Sequence, residues 1–276
     1  LVQRIPLIGG LFAFIGATFV LITFFTTDES FLKENSAQNQ KKTIKETFQQ
    51  VFRPIQDKKY KPFLVQTVFW NMGMRILMVV ILPLLTFVLL LQGVEFIIFV
   101  LIIIPFAFGG FLFWNLKIPK YGLLSGYRYS ILISIIMLLL TPLFLLDFSQ
   151  TLKLALAVIV MGLALACLVA GFLFPTPIVS ALVDEAAIIF AENMTVAKNT
   201  VDNKSECVSQ LSGGYYGLFS FTINFSSGLA NLILGGIFIG SNSENPFYIV
   251  LSLPVAAILF FLSWGAIRKL SLNNSK

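Results

Sequence analysis

Apolar residues along the chain are grouped into seven long stretches, and polar segments separate them. The stretches cover 5–25, 63–91, 94–115, 129–146, 153–176, 213–240 and 246–267. Most of them reach the ~20 residues that a helix needs to cross ~30 Å of hydrocarbon, and few contain a charge. The pattern predicts an all-α polytopic membrane protein with seven transmembrane helices.

Lysine and arginine residues are concentrated in alternate gaps between these stretches. Sixteen of the nineteen lie in the gaps after the first, third and fifth stretches and in the C-terminal tail; the others are Arg4, Arg75 and Lys153. Because cytoplasmic loops carry an excess of Lys and Arg, the sixteen are expected inside the cell. This places the protein in the plasma membrane, with the N-terminus of the chain outside and the C-terminus in the cytoplasm.

The amino-acid composition argues against several classes of function. Charged residues make up only 12% of the chain, and the net charge of +6 comes from basic residues at membrane edges. Anionic lipid headgroups, rather than nucleic acid, are therefore the expected partner of these residues. There is no histidine, no P-loop, no GxSxG sequence and no metal-ligand cluster, so we expect neither an enzyme nor a bound metal or cofactor in this chain.

The order of spans and loops suggests two unequal parts. Residues 1–25 are predicted to be the last helix of one half of a transporter, and 63–267 the six-helix bundle of the other half. The cytoplasmic linker, 26–62, contains apolar residues at helical spacing from Ile44 to Ile55, which predicts a helix lying in the membrane interface. Residues 268–276 form a cytoplasmic tail. Because the sequence begins at Leu1, we expect a longer protein whose N-terminal half is missing here.

The sixth stretch carries a stripe of polar residues at intervals of four, four, three and four. These are Tyr216, Ser220, Asn224, Ser227 and Asn231. A polar stripe on an apolar helix is costly against lipid, so it should face other helices or a watery cavity. A cavity lining and hydrogen bonding between helices both fit this stripe.

The second stretch places Asn71 and Arg75 on one helix face near mid-membrane. An arginine there costs at least ~2.5–3.5 kcal/mol unless it faces water or a partner. Hydrogen bonding to another helix and contact with an anionic or hydroxylated ligand are both compatible with this position.

The fifth stretch predicts a close helix contact followed by a break. Gly162, Ala166 and Ala170 follow one another at four-residue spacing, which lets two helix backbones approach in lipid. Pro175 and Pro177 then interrupt the helix near its cytoplasmic end.

The cytoplasmic side carries candidate gating charges. Asp184 and Glu185 are predicted to end the fifth span and to begin a loop that contains Glu206, and the 116–128 loop contributes Lys117 and Lys120. A solvated loop and a gate built from charge pairs between helices remain alternatives.

Three segments together resemble one transporter family. They are DKKYKPFLVQTVFWNMG (57–73), FLFWNLKIPKYG (111–122) and the run 174–236, in which Pro177, Asp184, Lys204, Glu206, Tyr216, Gly217 and Gly228 follow the family's order. The pattern is similar to the C-terminal half of glycoside–pentoside–hexuronide:cation symporters, the melibiose-carrier-like branch of the major facilitator superfamily.

The resemblance implies a secondary active transporter. It would move a sugar or related small polar solute by alternating access, coupled to sodium or protons. The expected cavity residues are Asn71, Arg75, Tyr216, Ser220 and Asn224, and the expected cytoplasmic gate residues are Lys117, Lys120, Asp184 and Glu206. Asn224 stands where the family often has a lysine important for coupling. A lipid-like substrate, a non-transporting membrane protein on the same fold and a seven-helix receptor are the alternatives.

Overall fold

The computed structural model describes residues 52–195, 203–238 and 247–272. Within these ranges the chain is helical and contains no strand. The helices are α1 (Tyr60–Pro83), α2 (Val94–Tyr121), α3 (Leu123–Leu139), α4 (Gln150–Leu168), α5 (Ala170–Leu173), α6 (Pro175–Thr195), α7 (Asn203–Phe238) and α8 (Phe247–Ile267). The predicted first span, 5–25, and nearly all of the predicted linker helix lie outside the described residues.

Six helical segments are long and apolar enough to cross a membrane, and they are those predicted from residue 63 onward. They run over Tyr60–Val88, Val94–Tyr121, Leu123–Leu145, Gln150–Phe190, Leu211–Gly236 and Phe247–Ile267. The all-helical fold class is therefore confirmed for the described part of the chain, and its six apolar helices indicate a membrane protein. The first segment ends in a π turn (Leu84–Val88), and the third ends in a 3-10 turn (Thr141–Leu145).

The fourth segment is too long to be one straight span. Its 41 residues would extend ~60 Å at 1.5 Å per residue, about twice the hydrocarbon thickness. The chain leaves regular α-helix at Val169 and again at Phe174, just before Pro175, so the predicted break near the two prolines is confirmed. The prediction that a loop begins at Asp184 is wrong, because α6 continues as helix to Thr195.

The loop predicted at 116–128 is reduced to a single residue in the structure. Helix α2 continues to Tyr121 through both predicted gate lysines, and α3 begins at Leu123. Gly122 alone makes the turn, with φ 79°, a conformation that residues with a Cβ rarely adopt. Lysines predicted in a loop are therefore on the last helical turns of α2.

Helices α1 and α8 share the most extensive helix contact in the described part of the chain. Helix α1 packs against α7 as well, and α8 packs in turn against α3. Helix α4 contacts α2 and α3, and α6 pairs with α7. Gly73 on α1 faces the Phe260 ring of α8 so closely that an added Cβ would lie 3.0 Å from it.

Small residues bring α2 and α4 into direct backbone contact, as the sequence predicted for the fifth stretch. A Cβ added to Gly110 would lie 2.2 Å from the Ala166 carbonyl oxygen, and one added to Gly162 would lie 2.9 Å from the Phe106 ring. The indole Nε1 of Trp114 donates a hydrogen bond of 3.0 Å to the same Ala166 oxygen. Close packing of small residues, the main attraction between helices in lipid, holds these two spans together.

Hydrogen bonds between helix ends show which ends share a side. Gln150, at the start of α4, donates to the Leu89 carbonyl just beyond α1, at 2.6 Å. At the opposite side, Arg128 on α3 donates to the Ile267 carbonyl at the end of α8, at 3.1 Å. Consecutive spans therefore alternate in direction, and the start of α1, the end of α2 and the end of α8 lie on one side.

Candidate functional site

A cavity of about 330 Å³ lies between α1, α3, α7 and the α5–α6 break. Its walls combine polar and apolar side chains from Gln66, Thr67, Trp70, Asn71, Met74, Arg75, Met78, Tyr127, Gly171, Phe172, Pro175, Thr176, Phe219, Ile223 and Ser227. Pockets of this size, mainly apolar with a few convergent polar groups, are typical of small-molecule sites.

Arg75 is the most informative residue of this cavity. It is the sixteenth of the 29 residues in the Tyr60–Val88 span, and its side chain is exposed. Its Nε donates a hydrogen bond of 3.4 Å to the Asn231 Oδ1 of α7. Among the described residues, the one ion pair joins Lys59 to Glu185, so no described carboxylate neutralises Arg75. In the described part of the chain, a cation at mid-span therefore faces the cavity with a neutral amide beside it.

Asn71 stands one helical turn before Arg75 on the same wall. Its Nδ2 donates to the Thr67 carbonyl at 2.8 Å, which fixes the amide along the helix surface. The Thr67 hydroxyl donates to the Phe63 carbonyl at 2.9 Å, within the same helix. The two predicted cavity residues of α1 are thus brought together, as their spacing required.

A buried hydrogen-bond network closes the cavity toward α3 and α8. The Gln66 Nε2 donates to the Tyr127 hydroxyl at 2.7 Å and to the Ser263 hydroxyl at 3.3 Å. All three side chains are essentially inaccessible to solvent. These hydrogen bonds matter for stability, because a buried polar group without a partner in an apolar interior is costly. This network fixes three spans around one end of the site.

Trp70 forms the adjoining wall of the cavity, and the position of its ring explains why residue 171 in the broken helix is a glycine. Its ring lies 4.8 Å from that of Phe260 and 5.6 Å from that of Tyr127, measured between centroids. A Cβ added at Gly171 would lie 1.9 Å from the Trp70 ring. Only glycine lets the α5–α6 break approach the indole, and irregular backbone in membrane proteins is tolerated where it is covered by protein or lines a cavity.

The predicted residues of the sixth stretch divide into two groups. Ser227 lines the cavity and Asn231 bonds to Arg75, whereas Tyr216, Ser220 and Asn224 are not among the lining residues. Ser220 and Asn224 are exposed, and Tyr216 is partly buried. Helix α7 instead presents Phe219 and Ile223, which lie beside the stripe on the helical surface.

The predicted gate residues are not joined to one another in the described structure. The Nζ of Lys117 lies 5.7 Å from the centre of the Phe113 ring, and the Nζ of Lys120 lies 5.8 Å from that of Tyr121. Asp184 is exposed on α6. The side chain of Glu206 lies outside the described part of the chain.

A different polar cluster joins α1, α6 and α7 on the side where α1 begins. The Lys59 Nζ lies 2.6 Å from the Glu185 Oε2, and the Tyr215 hydroxyl donates to the Asp57 Oδ2 at 2.8 Å. The Tyr60 hydroxyl donates to the Tyr215 carbonyl at 2.6 Å. We name these five residues (Asp57, Lys59, Tyr60, Glu185 and Tyr215) the polar latch. Sequence reasoning named Glu185 beside the candidate gate residue Asp184 but missed the other four residues, although Asp57, Lys59 and Tyr60 lie in the DKKYKPF segment that carries the resemblance.

Comparisons with protein-family models, with curated proteins and with solved structures found no match to this chain. The melibiose-carrier-like resemblance therefore stays a prediction from the sequence.

Proposed function

We propose that this chain forms a secondary active transporter or part of one, with its solute site in the cavity at Arg75. The observation that carries the proposal is the mid-span guanidinium, which faces a cavity and has no carboxylate partner among the described residues. Such a residue costs several kcal/mol in a membrane unless water or a ligand compensates it, and ionisable residues inside spans commonly mark substrate pathways.

The broken fourth segment supports the same proposal. Discontinuous helices in transporters line mid-membrane substrate sites, and here the α5–α6 break contributes Gly171, Phe172, Pro175 and Thr176 to the cavity. By resemblance, the solute would be a sugar or related polar molecule, and a second half of the transporter would contribute the carboxylates for sodium or proton coupling. Ser220 and Asn224, exposed on α7, would face that half across a shared cavity.

The basic residues on the two sides of the bundle predict the orientation of the protein in the membrane, and contacts between helices define which residues share a side. The side with the polar latch also carries Lys117, Lys120 and Arg128, whereas the opposite side has Lys153 at the start of α4. The positive-inside rule assigns the latch side to the cytoplasm of a plasma-membrane protein, with the N-terminus of the chain outside. In an alternating-access cycle, the polar latch would then close the cytoplasmic entrance, where the charges along the sequence predict a gate.

Uptake by the complete protein in proteoliposomes tests the proposal. Labelled sugars and lipids are offered with and without a sodium or proton gradient. The Arg75→Ala variant should reach the membrane but lose at least about tenfold in uptake, since a hydrogen bond from a charged group contributes ~1.5–3 kcal/mol. Lys58→Ala, which removes an exposed cation outside the cavity, is the control. Unchanged uptake by Arg75→Ala would remove Arg75 from the site, and gradient-independent behaviour for every solute would contradict secondary active transport.

A further inference from the structure

A second cavity, of about 440 Å³, adjoins the Arg75 cavity. The two share three wall residues, Met74, Met78 and Phe172, so they are neighbouring compartments rather than separate sites. The second cavity extends along α1 toward the π turn and lies between α1, α2, α3 and α4.

The two compartments differ sharply in chemistry. The larger cavity is lined by aliphatic and aromatic side chains, and Thr141 is the one lining residue with a polar side-chain group. The Thr141 hydroxyl donates to the Leu138 carbonyl at 2.6 Å, so its proton is already bonded within its own helix. A hydroxylated solute would lose its hydrogen bonds to water there without replacement. The smaller cavity holds Arg75, Asn71 and Ser227 instead.

We infer that the ligand of this site is a single-chain anionic amphiphile, with its head on Arg75 and its alkyl chain in the 440 Å³ cavity. The inference rests on the proposed function for the Arg75 site and replaces the sugar that the resemblance implies with a different substrate class. Charge complementarity selects the head, because a guanidinium can bind two oxygens of one carboxylate or phosphate group. The shared wall of Met74, Met78 and Phe172 provides the passage for the chain, and methionines adapt readily to irregular apolar shapes.

The inference predicts how the affinity of the ligand depends on the length of its alkyl chain. Burial of one methylene group should raise affinity about fourfold, until the apolar cavity is full. A neutral head on the same chain should bind more weakly, because it leaves the Arg75 charge uncompensated. Free sugar and inorganic phosphate, which have no chain, should bind weakest of all.

Titration calorimetry on the full chain in nanodiscs of zwitterionic lipid measures this directly. The probes are inorganic phosphate, butyl, hexyl and octyl phosphate, octyl glucoside and glucose. Affinity should rise along the alkyl phosphate series and then level off, and octyl phosphate should bind at least about tenfold more tightly than octyl glucoside. Arg75→Gln should abolish the difference between these two octyl probes.

Matched variants separate the cavity from the surrounding bilayer. Ile104→Trp and Ile81→Trp place a large ring at partly exposed positions that line the apolar cavity, whereas Leu101→Trp places it on exposed α2 surface outside that cavity. The two lining variants should flatten the chain-length dependence, and Leu101→Trp should keep it. Equal chain-length dependence in all three would show partition into lipid and overturn the inference.

Binding and transport outcomes remain distinguishable. Phosphate or glucose binding as tightly as the octyl probes overturns the amphiphile inference, even where uptake of a polar solute upholds the transporter. Chain-dependent binding that Arg75→Gln and Ile104→Trp alter as expected upholds the amphiphile inference, even where gradient-driven uptake is absent and the transporter proposal fails.

Discussion

The Nζ of Lys59 lies 2.6 Å from the Oε2 of Glu185, which ties the residue before α1 to the middle of α6. Lys59 is 34% exposed and Glu185 15% exposed, so the pair lies at the edge of the bundle and not in its interior. Residues 126 positions apart are thereby joined, on the same side as the bond between Tyr215 and Asp57.

Breaking this pair should weaken the polar latch measurably but modestly. Partly exposed ion pairs contribute ~0.2–1 kcal/mol, so Lys59→Gln should lower the melting temperature of the purified protein by only a few degrees. Because Lys59 and Glu185 contact each other, the double variant with Glu185→Gln should cost less than the two single variants together. Thermal unfolding at low and high salt measures both effects, and salt should reduce them.

Lys58→Gln is the matched control for the polar latch, because it removes a neighbouring cation that is exposed. It should leave the melting temperature within error of the unmodified protein. Strict additivity of Lys59→Gln and Glu185→Gln would show that the two side chains do not stabilise each other.

Two adjacent glycines on α2 offer a sharp test of the α2–α4 contact. A Cβ at Gly110 would lie 2.2 Å from the Ala166 carbonyl oxygen, whereas a Cβ at Gly109 would meet nothing within 4 Å. A backbone oxygen cannot move aside as the end of a flexible side chain can. Gly110→Ala should therefore force the helices apart and lower the free energy of unfolding by ~1–3 kcal/mol or more. Gly109→Ala should be neutral or slightly stabilising, since alanine favours helix over glycine by ~0.5–1 kcal/mol.

Thermal unfolding of the two variants checks this prediction, and fluorescence of Trp114 provides a second readout. The indole Nε1 of Trp114 is bonded to the same Ala166 oxygen, so Gly110→Ala should shift its emission and Gly109→Ala should not. Equal stability of both variants would mean that α2 and α4 are not in backbone contact at Gly110.

Much of the fold could be predicted because hydrophobic stretches carry the signal for membrane helices directly. Six of the seven predicted spans coincide with helices in the described residues, and the small residues near Gly162 do form a close contact. Loops were harder. Charges at 116–128 and after Asp184 suggested loops, but both segments are largely helical, because a helix that leaves the membrane can continue in water with a polar sequence.

The candidate site was only partly predictable, for a geometric reason. Asn71 and Arg75 are one turn apart on one helix, so local spacing alone brings them together. The approach of Trp70 to Gly171, and of Lys59 to Glu185, depends on how distant helices pack. Helical periodicity on α7 gave the polar face, but a rotation of about one residue decides that Ile223 rather than Asn224 lines the cavity.

The buried hydrogen bond between Gln66 and Tyr127 should stabilise the protein more than any hydrogen bond of the exposed Tyr129 hydroxyl. Tyr127→Phe removes the hydroxyl that accepts from the Gln66 Nε2 at 2.7 Å and leaves that amide with Ser263 at 3.3 Å. The expected cost is ~1 kcal/mol, the usual net value of a buried hydrogen bond, which should lower the melting temperature by about 2–4 °C.

Tyr129→Phe is the matched control, because Tyr129 lies two residues further along α3 and is 58% exposed. Loss of its hydroxyl should leave the melting temperature unchanged. If Tyr129→Phe destabilised the protein as much as Tyr127→Phe, the network with Gln66 would contribute nothing particular to the bundle.

Arg128 supplements the backbone hydrogen bonds at the end of α8. Helix α8 ends at Ile267 without a following glycine, and the next three backbone N–H groups donate to carbonyls of its last turn, including that of Ile267. The Arg128 Nη2 donates to the Leu270 carbonyl at 2.7 Å and to the Ile267 carbonyl at 3.1 Å, and its cation lies at the negative end of the helix dipole. A residue that the charge pattern assigned to lipid headgroups thus has a structural role.

Arg128→Ala should fray the end of α8. Amide hydrogen exchange in the last turn before Leu270 should accelerate by about tenfold or more, since hydrogen bonds from charged donors contribute ~1.5–3 kcal/mol. Arg128→Lys should rescue only part of this protection, because a lysine ammonium keeps the charge but cannot bridge two carbonyls in a planar fork. Lys269→Ala, which removes an exposed cation beside the same turn, should leave exchange unchanged. Equal protection in Arg128→Ala and Lys269→Ala would mean that the carbonyls at the end of α8 are satisfied without Arg128, and the bond between α3 and α8 would then be incidental to the fold.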